Sequence, residues 1–184
     1  MSSSIVLSFL GAPKVSVQGT VWPGFHTSKA LALLCYLALT PYDCTREALA
    51  GIFWPDTPEN NARASLGKAL SDLRTPLGER LTISRRTVSV RLTSRDRLDI
   101  TDFELCIGAN PKHASIEDLE RAISLYQGQF LDGFHLRNAP DFEQWILLHR
   151  QRLADLHFTA GMELAERLVE TTSFGSAIDV LRQL

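Results

Sequence analysis

Two clusters of polar side chains carry the chemistry that this sequence can offer. One lies on the polar side of an amphipathic segment and comprises Arg63, Ser65, Lys68, Ser71, Asp72 and Arg74. The other comprises Arg85, Arg86 and Thr87. Arginine and lysine neutralise phosphates and displace their counterions, while hydroxyl and carboxylate groups can hydrogen-bond to base edges. Taken singly, each cluster is more typical of a solvated surface, so the surrounding elements decide what it does.

The net charge of −2 conceals an uneven distribution of charge along the chain. Residues 1–97 hold twelve Lys and Arg against seven Asp and Glu, a net of +5, which leaves −7 for residues 98–184. A basic half joined to an acidic half indicates a polyanion-binding module attached to something else.

The composition and the apolar pattern narrow the class of protein. The chain is 45% hydrophobic and 22% charged, as is ordinary for a soluble globular protein. The longest apolar run, at 30–39, is too short to span a bilayer, and the three cysteines lack metal-type spacing. We therefore expect a cytoplasmic protein without a metal site or cofactor.

The first half of the sequence predicts a defined order of elements. In chain order these are strands at 5–9 and 15–17, a possible third at 21–22, helices at 27–40, from 45 onward and at about 58–77, and a hairpin at 81–92. Thr27 or Ser28 caps the first helix. The third helix is expected to take Thr57 as its N-cap and Pro58 as its first residue.

This order is that of a helix-turn-helix followed by a wing. The helix at 58–77 would enter the major groove of DNA, where base edges present a distinguishable pattern of donors and acceptors. The hairpin tip at 84–87 would reach the adjacent minor groove or its phosphates. The combination of order and basic charge, rather than either cluster alone, predicts DNA binding.

The second half of the sequence is helical throughout. Helices are predicted to begin near Thr101, at Ser115, at about Asp141 and near Phe174. The third of these runs to Val169 unless Gly161 breaks it. The last is expected to be still running at Leu184, which suggests a longer natural chain. Tyr126, Phe130, Phe142 and Trp145 are interpreted as core, with anchoring of a partner as the alternative, and the histidines of this half as surface or capping residues.

Specific segments carry a resemblance to a known family. Residues 5–95 resemble the OmpR-type winged helix in the version found in Streptomyces antibiotic regulatory proteins, at segments 5–10, 28–39, 46–56 and 62–74. Residues 99–184 resemble the bacterial transcriptional activator domain, a tetratricopeptide-like array, at Asp99 with 102–104, 125–131 and 145–153. The resemblance implies an α+β winged helix at 1–97 followed by an all-α helical domain at 98–184.

The family implies a mode of action. Its members activate promoters in the cytoplasm, placed head to tail on direct repeats of double-stranded DNA near RNA polymerase, and larger members carry further C-terminal domains. Carried over, the groove-facing positions are Arg63, Ala64, Ser65, Lys68, Ser71, Asp72 and Arg74, with Arg85, Arg86 and Thr87 in the wing. Asp72 departs from the basic residue frequent in OmpR-type relatives, and an acid there would repel phosphate.

Two other classes of function remain to be weighed. An enzyme is the weaker alternative, because the nearest pair, Cys44 with Asp43, has no histidine that the sequence places beside it. A protein-interaction adaptor, whose winged helix no longer binds DNA, is the stronger one. Asp72 and the modest +5 favour it, whereas the basic residues of the third helix and the Arg85–Arg86 tip oppose it. A further hypothesis is that the acidic half screens the wing.

Overall fold

The computed structural model describes residues 4–184, so residues 1–3 of the predicted first domain lie outside the described residues. The described residues divide into two compact units. The first comprises 4–7, Lys14–Arg97 and Phe134–Trp145; the second comprises Ser8–Pro13, Leu98–Gly133 and Ile146–Leu184. Whether 1–97 and 98–184 act as separate domains stays a prediction.

The first unit contains a small sheet at the start of the chain. Its strands are β1 (Ile5–Ser8), β2 (Lys14–Val17), β3 (Thr20–Val21) and β7 (Arg97–Leu98), in the order β3-β2-β1-β7. Ile5 and Leu7 are fully buried while Val6 between them is exposed, which is the predicted alternation. β2 and β3 are antiparallel and joined by Gln18 and Gly19, both with positive φ, as a two-residue hairpin turn requires.

The helices of this unit follow as the sequence predicts. They are α1 (Ser28–Leu39), α2 (Arg46–Phe53) and α3 (Glu59–Leu77). Thr27 caps α1 through a hydrogen bond from the Ala30 amide, and Thr45 caps α2 in the same way through Ala48. The expectation that Thr57 caps α3 is wrong: Pro58 takes the N-cap position and makes no side-chain cap bond. The Pro58 carbonyl accepts the first intrahelical bonds, from the amides of Asn61 and Ala62.

A second small sheet contains the hairpin that was predicted as the wing. It consists of β4 (Cys44–Thr45), β5 (Leu81–Ile83) and β6 (Thr87–Val90), in the order β4-β6-β5. β5 and β6 pair antiparallel with Ile83 opposite Val88, which confirms the predicted hairpin. Because Cys44 pairs with Val88 and Thr45 with Thr87, the residues that lead into α2 are hydrogen-bonded to the wing.

The second unit is helical, apart from a short stretch near the start of the chain. Its helices are α4 (Asp99–Ile107), α5 (Ile116–Leu125), α6 (Pro140–Glu170), of which residues 146–170 belong to this unit, and α7 (Phe174–Leu181). Asp99 Oδ2 accepts the Phe9 and Leu10 amides at 2.7 and 2.8 Å, which ties the stretch at 8–13 to the start of α4. Ser115 caps α5 as predicted.

The structure resolves or corrects three expectations for the helical half. α6 is continuous through Gly161, where the missing side chain leaves room for Leu184. α7 ends at Leu181, so the prediction of a helix still running at Leu184 is wrong. His157 is buried and stacks on Tyr126 with ring centroids 4.1 Å apart, which contradicts its interpretation as a surface or capping residue. Among the described residues, none of the helices combines the length and apolar character needed to cross a bilayer.

Candidate nucleic-acid interface

Helix α3 has a buried stripe and an exposed face. The stripe comprises Ala62, Leu66, Ala69, Leu70, Leu73 and Leu77. The exposed positions among the predicted contacts are Arg63, Ala64, Lys68, Ser71 and Arg74, while Ser65 and Asp72 are half-buried at the margin. Gly67 lies in the middle of this face, and a Cβ added there meets no atom of the described residues within 4 Å. The exposed face of α3 therefore has no side chain at its centre and has mostly polar side chains around that point.

The tip of the wing is a closed turn rather than a loose loop. The Ser84 amide donates to the Thr87 carbonyl at 2.9 Å, and Ser84 Oγ accepts from the amides of Arg86 and Thr87 at 3.1 and 2.8 Å. Arg85 and Arg86 are the two central residues of this turn, and both side chains are exposed. Ser84 thus fixes the backbone from which both guanidinium groups project.

The start of α2 lies against the wing tip. The Arg46 amide donates to the Arg86 carbonyl at 2.8 Å. A cavity of about 370 Å³ beside this bond is lined by Thr45, Arg46, Glu47, Arg63, Arg85 and Arg86. Four arginines from α2, α3 and the wing therefore meet in one place, which we call the arginine flank (Arg46, Arg63, Arg85, Arg86). Arg63 also pairs with Glu59 one turn earlier on α3, an exposed contact of little energetic weight.

Arg46 was not among the residues singled out from the sequence. It lies immediately after the N-cap Thr45, at the first position of the second helix of the helix-turn-helix. It also lines a neighbouring cleft of about 250 Å³ together with Gly67, Leu70, Ser71, Arg74 and Ile83. Arg46 is therefore the member of the arginine flank that also lines a cleft beside α3. Its place after a capping threonine is the signal by which the sequence could have identified it.

A buried ion pair fixes the base of the wing. Arg80, just before β5, donates through Nε and one terminal nitrogen to the two oxygens of Asp96, each at 2.7 Å. Asp96 also accepts the Ile5 amide at 2.9 Å and both the amide and the hydroxyl of Thr93 at 2.7 Å. Burial by itself would raise the pKa of the Asp96 carboxyl, but these hydrogen bonds outweigh it and hold that pKa well below its ordinary value. The pair ties the start of β5 to β1.

The other side of α3 has a different character. The Asp72 carboxylate accepts the His26 amide at 2.7 Å, and its second oxygen lies 2.7 Å from His26 Nδ1. Only 11% of the Asp72 side chain is exposed. A cleft of about 610 Å³ lies here, which we call the aromatic cleft; its lining is His26, Thr27, Lys29, Trp54, Ser65, Lys68, Ala69, Ser71, Asp72 and Thr75.

The structure thus divides the sequence-predicted contacts between two sides of one helix. Arg63, Arg85 and Arg86 lie together in the arginine flank. Ser65, Lys68 and Asp72 line the aromatic cleft, Arg74 lines the small cleft with Arg46, and Ser71 lines both clefts. Thr87 is half-buried, with its hydroxyl 2.9 Å from Ser84 Oγ.

The residues considered for an enzyme do not form a nucleophilic site. Cys44 is buried, and this burial, together with the neighbouring Asp43 charge, raises the pKa of its thiol. A raised pKa lowers the thiolate fraction on which nucleophilic attack depends. Within residues 4–184, no group of three or more His, Cys, Asp or Glu side chains is arranged to hold a metal ion.

Comparison with known proteins identifies the architecture. The fold is similar to that of EmbR from Mycobacterium tuberculosis, in a structure of its complex with a low-affinity phosphopeptide, with a TM-score of 0.70 over 95% of this chain at 21% sequence identity. The likeness shows the fold. It confirms the mixed α/β winged helix followed by a helical region. The chain spans about half of that protein, 51% of its length. No protein-family model and no curated protein matches the sequence.

Proposed function

We propose that this chain is a sequence-specific DNA-binding transcriptional regulator, an activator, rather than an enzyme. α3 enters the major groove, and the wing at 84–87 contacts the adjacent minor groove or its phosphates. The observation that carries the proposal is the arginine flank, where three separate elements bring four arginines and one acidic residue, Glu47, to one cavity beside the exposed α3 face. Such a cluster of positive charge suits the regularly spaced phosphates of a duplex.

The dimensions of α3 support this assignment. Its 19 residues extend over roughly 28 Å at 1.5 Å per residue, and the major groove of B-form DNA admits a helix. The proposed contacts on the helix are Arg63, Ser65, Lys68, Ser71 and Arg74, and those in the wing are Arg85, Arg86 and Thr87. Asp72 lies among them, but its carboxylate contacts His26. Arg46 joins the set as a phosphate contact.

The wider setting follows from the resemblance to antibiotic regulatory proteins. We propose that the chain acts in the cytoplasm on promoter direct repeats, as a head-to-tail dimer on double-stranded DNA, in contact with RNA polymerase. Residues 98–184 would be the tetratricopeptide-like domain that contacts protein partners. The likeness in fold to EmbR supports only the order of domains on which this setting rests.

The alternative is an adaptor whose winged helix binds protein instead of DNA. Exposed apolar surface on α6, where Leu147, Leu148 and Phe158 are 61, 65 and 55% exposed, suits a protein partner, and because it lies outside the winged helix it is compatible with both functions. The repulsion expected from Asp72 gives the adaptor less support than the sequence suggested, because that carboxylate is hydrogen-bonded within the protein.

Fluorescence anisotropy of a labelled mixed-sequence duplex, titrated at several salt concentrations, separates the two functions. We expect micromolar binding that weakens steeply with salt, since non-specific affinities of DNA-binding proteins reach roughly 10⁻⁴ to 10⁻⁶ M. The Arg85→Ala/Arg86→Ala variant should bind more weakly, with a salt slope shallower by about two units.

The control variant is Arg121→Ala/Arg182→Ala, which removes two exposed arginines from the helical unit. Its change in net charge equals that of the wing variant, so equal losses in both would point to bulk charge rather than a wing contact. No binding by folded protein at low salt would favour the adaptor. Operator selection would follow a positive result.

A further inference from the structure

The aromatic cleft has the size and lining of a small-molecule site. Its volume of about 610 Å³ lies within the roughly 300 to 1,000 Å³ typical of ligand pockets. It is built from the first turn of α1, the end of α2 at Trp54 and one side of α3. These elements all belong to the first unit, so the cleft lies within one compact body.

The indole of Trp54 gives the cleft a flat apolar surface. Lys29 Nζ lies 5.0 Å from the centroid of this ring and donates to the Phe53 carbonyl. The cation therefore contacts both the backbone that ends α2 and the ring that follows it. Burial lowers the pKa of Lys29, and the Asp56 carboxylate offsets only part of this effect. An anion bound nearby would further stabilise the charged lysine.

The polar groups of the cleft favour a negative ligand. Asp72 is the acidic residue of the lining, and its two oxygens are engaged by His26. Lys68 is exposed at the rim, and the first turn of α1 consists of uncharged residues and Lys29. The positive end of the α1 dipole and the two lysines therefore act in the same direction.

We propose that the aromatic cleft binds a small planar aromatic carboxylate, with its ring against Trp54 and its carboxylate toward Lys68 and the first turn of α1. Ser65, Lys68 and Ser71 belong both to this cleft and to the proposed DNA contacts. Bound ligand therefore competes with DNA, a consequence that rests on the proposed function, whereas ligand binding itself does not.

The test uses 2-naphthoate as the probe, with 2-naphthylmethanol as its uncharged counterpart and inorganic phosphate as an anion without a ring. Isothermal titration of the full chain gives affinities, and the indole N–H resonance of Trp54 in ¹⁵N-labelled protein reports the location. We expect saturable binding of 2-naphthoate, a shifted Trp54 resonance, and roughly tenfold weaker binding of the alcohol.

Variants on either side of α3 distinguish the cleft from general basic charge. Lys68→Gln should lower the affinity for 2-naphthoate about tenfold. Thr75 is exposed, and Thr75→Phe, whose ring fills the cleft, should abolish 2-naphthoate binding. Arg74→Gln removes the same charge from outside the cleft and should leave the 2-naphthoate affinity unchanged. Equal affinities for acid and alcohol, or an unchanged affinity in Thr75→Phe, would overturn the site. Phosphate binding without 2-naphthoate binding would overturn it as well, and would identify the lysines as phosphate contacts.

Competition is measured separately by adding 2-naphthoate to the labelled duplex complex. Release of DNA from the natural chain, but not from Thr75→Phe, supports the shared surface. If 2-naphthoate binds at Trp54 and the duplex stays bound, the ligand site is confirmed and the proposed competition with DNA is wrong. If 2-naphthoate binds and the chain never binds DNA, the proposed function fails while the ligand site survives.

Discussion

The arginine flank and the aromatic cleft lie on opposite sides of one helix, and they differ in how their charges are held. In the arginine flank, four arginines line one cavity beside a backbone hydrogen bond between α2 and the wing, and of these Arg63 also pairs with Glu59. In the aromatic cleft, Asp72 is engaged by His26 and Lys29 by Trp54 and the Phe53 carbonyl, while Lys68 is exposed at the rim.

The difference shows that outward polarity on a helix does not define one kind of surface. Concentrated like charge is destabilising by itself and becomes useful when a polyanion neutralises it. A cleft with paired charges and an aromatic wall suits a small ligand of defined shape. Ser71 connects the aromatic cleft with the small cleft that Arg46 and Arg74 line, so the two sides of α3 are not separated by an inert surface.

The largest expected effect concerns the ion pair that positions the arginine flank. Asp96→Ala leaves the Arg80 guanidinium buried without its partner, and such losses cost about 3–5 kcal/mol. Urea unfolding followed by circular dichroism measures this loss. Glu79→Ala, at the exposed neighbour of Arg80, should change the free energy of unfolding by less than about 0.5 kcal/mol. Equal effects of the two variants would mean that the pair does not hold the wing.

The Arg80–Asp96 ion pair also predicts in which direction the free energy of unfolding changes with pH. The folded-state pKa of Asp96 is depressed, so its contribution to stability is full above the unfolded value of about 3.9 and is lost as the pH falls below it. The difference in unfolding free energy between the natural chain and Asp96→Asn should therefore shrink between pH 5 and pH 3. A difference that is constant over this range would contradict the assignment.

The next effect tests whether Arg46 belongs to the DNA surface. Arg46→Gln keeps a long polar side chain and the backbone bond to Arg86, but it removes one charge from the arginine flank. We expect the salt dependence of DNA binding to become shallower by about one unit. Arg121→Gln, in the helical unit, is the matched control. If the two variants behave alike, the flank is an accidental cluster.

A smaller effect is expected at the wing turn. Ser84→Ala removes the acceptor for the amides of Arg86 and Thr87, at an exposed site where such bonds contribute about 0.5–1.5 kcal/mol. DNA affinity should fall by a few-fold with the salt slope retained, because both arginines remain. Thr82→Ala, on an exposed position of the same hairpin, serves as the reference. A changed slope would mean that the turn sets which phosphates are reached.

The smallest effect is expected at Asp72. Asp72→Asn keeps an oxygen for the His26 amide and replaces a carboxylate whose two oxygens are already directed at His26, so DNA affinity should change by less than about 0.5 kcal/mol. Anisotropy titration at fixed salt is sufficient to measure it. A loss of tenfold or more would mean that the carboxylate leaves His26 and accepts a hydrogen bond from a base.

Periodic patterns predicted the parts of the fold that have enough residues to show a period. α1, α3 and the β5–β6 hairpin were predicted near their observed bounds, and α2 and α6 near their first residues, with a break of α6 at Gly161 left open. The two-residue strands β4 and β7 were not, because two residues carry no alternation. Thr57 was preferred as a cap on its residue type, whereas the conformation of Pro58 determined where the helix begins.

The candidate interface was predicted in composition but not in arrangement. The basic residues of α3 and the wing were identified from order and charge, yet the sequence did not indicate that Arg46 joins them. Arg80 and Asp96 were counted only as charges, since the sequence does not show that they meet. The contact of Asp72 with His26, 46 positions away, was hidden for the same reason. Tertiary contacts of this kind leave no periodic signal.

Gly67, at the centre of the exposed α3 face, is a position where one substitution is expected to affect both the stability of the fold and the binding of a partner. Alanine is favoured over glycine in a helix interior by about 0.8–1 kcal/mol, and the added methyl group would meet nothing in the protein. That absence of contact refers to residues 4–184, and the same methyl group would keep a partner from close contact with the helix backbone. One substitution would thus strengthen the fold and weaken the contact. In the series Gly67→Ala, Val and Leu, the loss of DNA affinity with increasing side-chain size would measure how closely the proposed duplex approaches the backbone of α3.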